Sequence, residues 1–311
     1  MNNCLCCYRP LLHGEKDMHV ACIKKFFGTT TLPNLDYTTQ QLDQLALKII
    51  KDQTSLTGVQ PKLSLHLNSY KGNDRLTLVG LWGHYICKPQ TTMYEKMPEI
   101  EDLTMHLARE AHIDVVPHTL MRMADDTLCY LTRRIDRTPA GEKIAMEDMC
   151  QLTERLTEQK YKSSYEKVGK AILKYSSLPK MDVTNFFELV LFSWLTGNND
   201  MHLKNFSLYE TTGAIRLTPA YDLLNAAIIN PNDDEELALT LNGRKRKLRR
   251  DDFIKSAAVL GINKVVVERL INKHIKLFPK FEAVIKNSFL SSDLQERYGD
   301  LLRERFGRLS Q

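Results

Sequence analysis

Three side chains between Gly197 and Leu224 have the types and spacing that phosphoryl transfer requires: Asp200, Asn205 and Asp222. In a D-x-x-x-x-N loop the Asp orients an attacking hydroxyl and accepts its proton, while the Asn binds a metal ion. Asp222 can then supply the other metal carboxylate. Two strand-like runs, FSLYE and AIRLT, lie between these residues and meet at Thr211-Thr212-Gly213, a turn signal that folds the second Asp back beside the first. The competing structural reading makes N-N-D a turn and Y-D a helix N-cap, since Asn and Asp are favoured in both places.

Such chemistry also needs a lysine on a buried strand to hold nucleotide phosphates. His84-Tyr-Ile-Cys-Lys88-Pro has strand-forming residues, and Pro89 ends the run, so Lys88 is expected at a strand end. The segment PEIEDLTMHLAREAHI reads as a helix with Leu103, Leu107 and Ala111 on one face. Glu101, near its start, is the expected ion-pair partner of Lys88; otherwise it is a first-turn Glu favoured by the helix dipole. Thr54 to Lys62, TSLTGVQPK, can cover phosphates through Gly58, Gln60 and Lys62, although with one glycine it is neither a Walker A nor a G-x-G-x-x-G sequence.

These residues together resemble the HipA-type serine/threonine kinases, toxins of bacterial toxin–antitoxin modules. Four ordered blocks carry the likeness: SLTGVQPKLSL, YICKP, CYLTRRIDR followed by EDMCQ, and GNNDMHLKNFSL with PAYDLL. The resemblance implies an α+β, bilobal, protein-kinase-like fold with a mixed N-lobe and a mostly helical C-lobe. It assigns Lys88 to the ATP phosphates, Asp200 to the catalytic base, and Asn205 and Asp222 to Mg2+. Thr132, Arg133, Arg134 and Ile135 would form the hinge that meets adenine with backbone groups, with Asp136 and Arg137 as supports. Lys204 would neutralise the transferred phosphoryl group, and His202, inside the same loop, would pack.

Family members phosphorylate a serine in the phosphate loop, and Ser55 is the matching position here, with Thr57 a second acceptor. A phosphate there adds roughly −1.5 to −2 charge and is expected to inhibit. Only 54 residues precede Ser55, fewer than the ~100–150 of a typical domain. This resembles the short HipT branch, in which the missing subdomain is a separate small protein. The implied partners are that HipS-like protein, a HipB-like DNA-binding antitoxin, and a translation component as substrate, an aminoacyl-tRNA synthetase above all. Direct DNA binding by this chain is not expected.

Cys4, Cys7, His19 and Cys22 in the N-terminal segment read as C-x2-C-x11-H-x2-C, with Cys6 as an alternative ligand. Four N/S ligands in two pairs suit tetrahedral Zn2+, and a short segment with little core gains folding energy from it. The competing reading is a set of small buried cysteines in a reducing compartment.

Composition fits a cytoplasmic globular enzyme: 311 residues, 43% hydrophobic and 26% charged, with a mild net charge of +5. Neither a signal peptide nor a membrane-spanning run is evident. Arg244 to Arg250, RKRKLRR, is a basic run that reads as a solvated loop or a contact for an acidic partner. The expected layout is a Cys/His-rich segment over 1–30, an N-lobe over 31–135 with strands near 63–67, 76–81, 84–88, 118–123 and 127–133, and a C-lobe over 136–311. An apolar helix near 183–196 presents the catalytic loop at its end, and amphipathic helices fill the last stretch. Two other readings fit the same residues: a lipid kinase of phosphatidylinositol type, and a catalytically silent module on a kinase fold.

Overall fold

A computed structural model of the chain describes residues 3–42, 44–45, 62–70, 73–80 and 83–311. They form two compact units. The first comprises Met1–Asp102, Val116–Lys143 and Asn287–Phe289, and the second Leu103–Val115, Ile144–Lys286 and Leu290–Gln311.

The first unit is built on one antiparallel sheet of β1 (Leu63–Tyr70), β2 (Asn73–Leu78), β3 (Tyr85–Lys88), β4 (His118–Arg122) and β5 (Leu128–Arg133), in the order β2-β1-β3-β5-β4. Strand β1 alternates as a half-buried strand does, with Leu63 and Leu65 inward. The inner strands β3 and β5 are buried along most of their length. Helix α1 (Val20–Phe27) ends at Gly28, whose φ of 80° is the left-handed conformation that lets its N–H reach Lys24 O. Phe26 and Phe27 of α1 each lie 5.8 Å from the Tyr85 ring, joining a core that includes Cys4, Leu5, Met18, Cys87, Leu120 and Leu131. Both outer strands are met by N-terminal chain. Leu120 N–H of β4 donates to Leu5 O at 3.3 Å, and on β2 Leu76 N–H donates to Asn34 O while Asn34 N–H donates to Asp74 O, both at 2.9 Å. Helix α2 (Met97–Glu110) carries Glu101 and Asp102 in the first unit and continues into the second.

In the second unit β6 (Met146–Asp148), β7 (Ser207–Thr211) and β8 (Ala214–Leu217) form a three-stranded antiparallel sheet. The β7–β8 turn takes positive φ at both Thr212 (49°) and Gly213 (75°), the combination that matches strand twist in a two-residue hairpin. Its helices are α3 (Met149–Leu152), α4 (Tyr165–Tyr175), α5 (Pro179–Leu195), α6 (Ala226–Ile229), α7 (Arg250–Val259), α8 (Lys264–Lys286) and α9 (Ser292–Ser310). Helix α5 starts on Pro179, which suits a first turn because its N–H would be unsatisfied anyway. Phe186, Phe187, Leu191, Phe192 and Trp194 of α5 are all buried, each contributing about 1.5–3 kcal/mol by leaving water.

Glu236 is a second organising point. It accepts from Trp194 Nε1 (3.0 Å), the Leu248 amide (2.9 Å) and Arg308 (2.8 and 3.0 Å), and it pairs with Arg305 at 2.9 Å. The basic run beside it is not simply a solvated loop. Lys245 pairs with Glu235 at 2.9 Å, Arg246 with Asp234 at 2.7 Å, and Arg250 with Glu268, while Leu248 is buried. The acidic stretch Asp233–Glu236, across the Leu241–Arg244 turn, thus supplies much of the counter-charge. Among the described residues no helix is long and apolar enough to cross a membrane.

Candidate functional site

In the first unit Lys88 closes β3, opposite Tyr130 of β5 in register, and Pro89 stops the strand there. Its Nζ donates to Glu101 Oε1 at 2.5 Å and lies 5.4 Å from the Tyr130 ring centre. Both side chains are almost fully buried, at 5% and 2% exposure. Removing two charges from water costs several kcal/mol per ion, so a buried pair is an expensive way to hold two elements together and points to a further task. One residue along α2, Asp102 accepts from Tyr8 Oη at 2.8 Å and from His118 Nδ1 at 2.7 Å. Sequence reasoning gave Tyr8, Asp102 and His118 no role.

The segment Thr132 to Ile135 leaves the sheet at the end of β5. Thr132 Oγ1 donates to Pro117 O at 3.0 Å, the Arg133 amide donates to Pro117 O at 2.9 Å, and the Arg134 amide to His84 O at 2.8 Å. The Arg133 and Arg134 amides are therefore engaged, whereas no backbone acceptor faces the Ile135 amide among the described residues. Arg134 grips Asp136 through two N–H groups at 2.8 and 2.7 Å, and Arg137 adds a third at 2.8 Å. With burial opposing them, these guanidinium groups hold the Asp136 carboxyl below its ordinary range. Lys62 is exposed just ahead of β1; Ser55, Thr57, Gly58 and Gln60 lie outside the described residues.

In the second unit the C-terminus of α5 leads directly into the loop of Asp200. Gly197 ends the helix at φ 70°, and a Cβ there would meet Asn225 Oδ1 at 2.6 Å and Leu301 Cδ1 at 2.9 Å, so both conformation and space demand glycine. Asn199 Nδ2 donates to Asp233 Oδ2 (3.2 Å) and Glu235 O (3.0 Å), anchoring the turn. Asp200 Oδ1 accepts from Tyr161 Oη at 2.6 Å, and Asp200 O accepts from Asn205 Nδ2 at 3.0 Å. That second bond fixes the Asn205 amide, whose Oδ1 is then its oxygen donor for a cation. Asp222 is not a helix N-cap. It sits at φ 55°, and the cap of α6 is Asn225, which accepts from Ile228 N–H at 3.1 Å.

His202, in the same loop, is buried. Burial pushes its imidazole down to about 4, against the upward pull of the Asp200 and Asp222 carboxylates, so the charges of both acids are felt at one ring. Its Nδ1 is buried with no hydrogen-bond partner among the described residues, and Tyr161 meets the ring edge-on at 5.1 Å. Burial, with Asp200 adding, drives the Tyr161 hydroxyl well above its ordinary value, so it stays a donor. Lys204 donates to Asp148 Oδ2 at 3.0 Å, and its backbone oxygen accepts from Tyr221 Oη at 3.1 Å. The two hard oxygen donors, Asn205 and Asp222, suit Mg2+ rather than a soft metal.

Cys4, Cys7, His19 and Cys22, all in the first unit, converge so that one potential ligand atom of each lies within 4.8 Å of all the others. Cys6 does not belong to that group.

A family model described as the HipA-like C-terminal domain matches residues 54–280. A Haemophilus influenzae protein with a provisional kinase name is 25% identical over 93% of this chain and 92% of its own length. A Sinorhizobium fredii protein, also provisionally named a kinase, is 31% identical over 75% of this chain and 60% of its own length. The serine/threonine-protein kinase toxin HipA of Shewanella oneidensis is 26% identical over 62% of this chain and 47% of its own length. The chain therefore spans about half to three-fifths of those last two relatives. Among solved structures, the Shewanella oneidensis HipA, HipB and operator DNA complex contains a chain similar in fold, with a TM-score of 0.68 at 20% identity over 96% of this chain and 80% of that one. The Helicobacter pylori proinflammatory kinase CtkA gives 0.53 at 14% identity over 83% and 91%. The α+β fold is thus shared with kinase-like proteins.

Proposed function

The chain belongs to the HipA-like C-terminal domain family, and from that premise we propose that it is a toxin kinase of the short HipT branch. It transfers the γ-phosphate of ATP to a serine or threonine of a translation component, with an aminoacyl-tRNA synthetase as the implied substrate class. The observation that carries this reading is the buried Lys88–Glu101 pair. A buried lysine positioned by a helix glutamate is the arrangement that holds nucleotide phosphates in kinase folds.

In this reading Lys88 binds the nucleotide phosphates, Glu101 fixes its direction, and the Ile135 amide meets adenine. Asp200, held by Tyr161, orients the acceptor hydroxyl and takes its proton. His202 stays neutral near pH 7, so it adds no charge beside that base. Asn205 and Asp222 hold Mg2+, which when bound neutralises phosphate charge. Lys204, tethered to Asp148, lies four residues beyond Asp200 and adds positive charge to the loop. Phosphate added at Ser55 or Thr57 would repel the nucleotide and switch the enzyme off. A HipB-like antitoxin and a HipS-like protein are the proposed partners; the Shewanella HipA stands in complex with HipB and operator DNA.

The test is intact mass with peptide mapping on phosphatase-treated wild type and Asp200→Asn, each incubated with Mg-ATP. Phosphate at Ser55 or Thr57 in wild type alone is expected, with ATP binding retained in the variant. Neither ATP binding nor phosphate gain in wild type would overturn the reading. Phosphorylated lipid vesicles with no phosphoprotein would replace it with a lipid kinase.

A further inference from the structure

The geometry points to a structural zinc centre in which Cys4, Cys7, His19 and Cys22 close a four-ligand shell around one Zn2+. The inference is independent of the kinase reading. His19 Nδ1 lies 3.4 Å from Cys7 Sγ and 3.9 Å from Cys22 Sγ. A tetrahedral shell with Zn–S of about 2.3 Å and Zn–N of about 2.0–2.1 Å places neighbouring ligand atoms ~3.5–3.8 Å apart. The four side chains are therefore near ligand spacing.

The histidine is oriented as a ligand. Its Nε2 is 3.0 Å from Pro10 O and 3.7 Å from Glu15 Oε2, two acceptors that call for the proton on Nε2. That tautomer leaves the Nδ1 lone pair facing the thiols, and a second ring nitrogen donating to a carbonyl or carboxylate is the usual support of a metal-bound histidine. The backbone is shaped to the same end. Cys4 N–H donates to Arg9 O and Tyr8 N–H to Cys4 O, both at 2.9 Å, with Tyr8 at φ 61°, so a tight turn presents Cys4 and Cys7 together. His19 precedes α1 and Cys22 lies in its first turn, while the His19 amide donates to Cys4 Sγ at 3.4 Å. A purely packed cysteine cluster does not require an imidazole aimed into it, and among the described residues no cysteine is in a disulfide.

With four protein ligands the shell has no open position, so the metal is structural. Binding releases the three thiol protons, as each cysteine becomes a thiolate. The same turn carries Leu5, whose carbonyl meets β4, and Tyr8, whose hydroxyl meets Asp102 beside Glu101. The ion therefore fixes a support of α2 where it bears the Lys88 pair.

Metal analysis of the purified 311-residue chain should find about one zinc per molecule. Exchange for Co2+ should produce thiolate-to-cobalt absorption with the visible bands of a tetrahedral site, and chelation should lower Tm by about 5 °C or more. Cys22→Ser should weaken Co2+ uptake at least ~10-fold, whereas Cys6→Ser should leave it unchanged. If Cys22→Ser does not fold, the cobalt titration of reduced wild type remains decisive. Reduced wild type that takes up no Co2+, a disulfide within the four, or loss of metal in Cys6→Ser with retention in Cys7→Ser would overturn the assignment.

Discussion

Glu101 in the first unit and Glu236 in the second are both buried carboxylates paired with cations, yet they are built differently. Glu236 is gripped by the rigid fork of Arg308, paired with Arg305, and bonded by the indole of Trp194 and the Leu248 amide. The Arg308 fork pairs bidentately and stays put, and this set joins α5 and α9 to the chain between α6 and α7. Glu101 meets a lysine, a compact point charge on a flexible stem. In the proposed kinase, the kind of cation, more than the depth of burial, separates the Glu236 brace from the Lys88 binding group.

Four measurements bear on that contrast, in falling order of effect. Glu236→Ala leaves Arg305 buried without its counter-charge and should cost about 3–5 kcal/mol in urea unfolding; a loss below 1 kcal/mol would deny the brace. Second, although burial opposes it, Arg308 and Arg305 hold the Glu236 carboxyl down at about 2. Because the folded value lies below the unfolded one, this stability is present above pH ~4.3 and lost as pH falls from there towards 2, on the order of 2–3 kcal/mol. Stability flat across that window would contradict it. Third, Glu101→Gln should keep the fold but weaken ATP binding on the order of tenfold by calorimetry, since the lysine loses a charged, strong acceptor; unchanged affinity would make the pair another brace. Last, Arg246→Ala removes a pair exposed on both sides, 57% and 69%, and should change thermal stability by less than about 1 kcal/mol.

What could be read in the sequence was local. The expected strands lie close to the five of the first sheet, the T-T-G turn joins β7 to β8, and the apolar run FFELVLFSWL lies in a helix buried all round. Lys88 and Glu101 are thirteen residues apart, one strand end and one helix start, so their meeting could be anticipated from element order. The spacing of Cys4, Cys7, His19 and Cys22 likewise lies within one short segment. What escaped was set by tertiary contact alone: Tyr161 on Asp200 across 39 residues, Asp148 on Lys204 across 56, and Tyr8 on Asp102 across 94. No periodicity or motif marks those partners. The pairing of the basic run was different in kind, since acidic Asp233–Glu236 lies about ten residues upstream and opposite-charge runs flanking a turn were available as a signal.

The N-terminal chain also bears on solubility. Leu5 lies along β4 and Asn34 along β2, the two margins of the five-stranded sheet. An uncovered margin offers unpaired amides and carbonyls to any neighbouring strand and templates aggregation. A version of the protein lacking residues 1–34 should therefore precipitate or self-associate, a failure to be seen in light scattering before any question of catalysis arises.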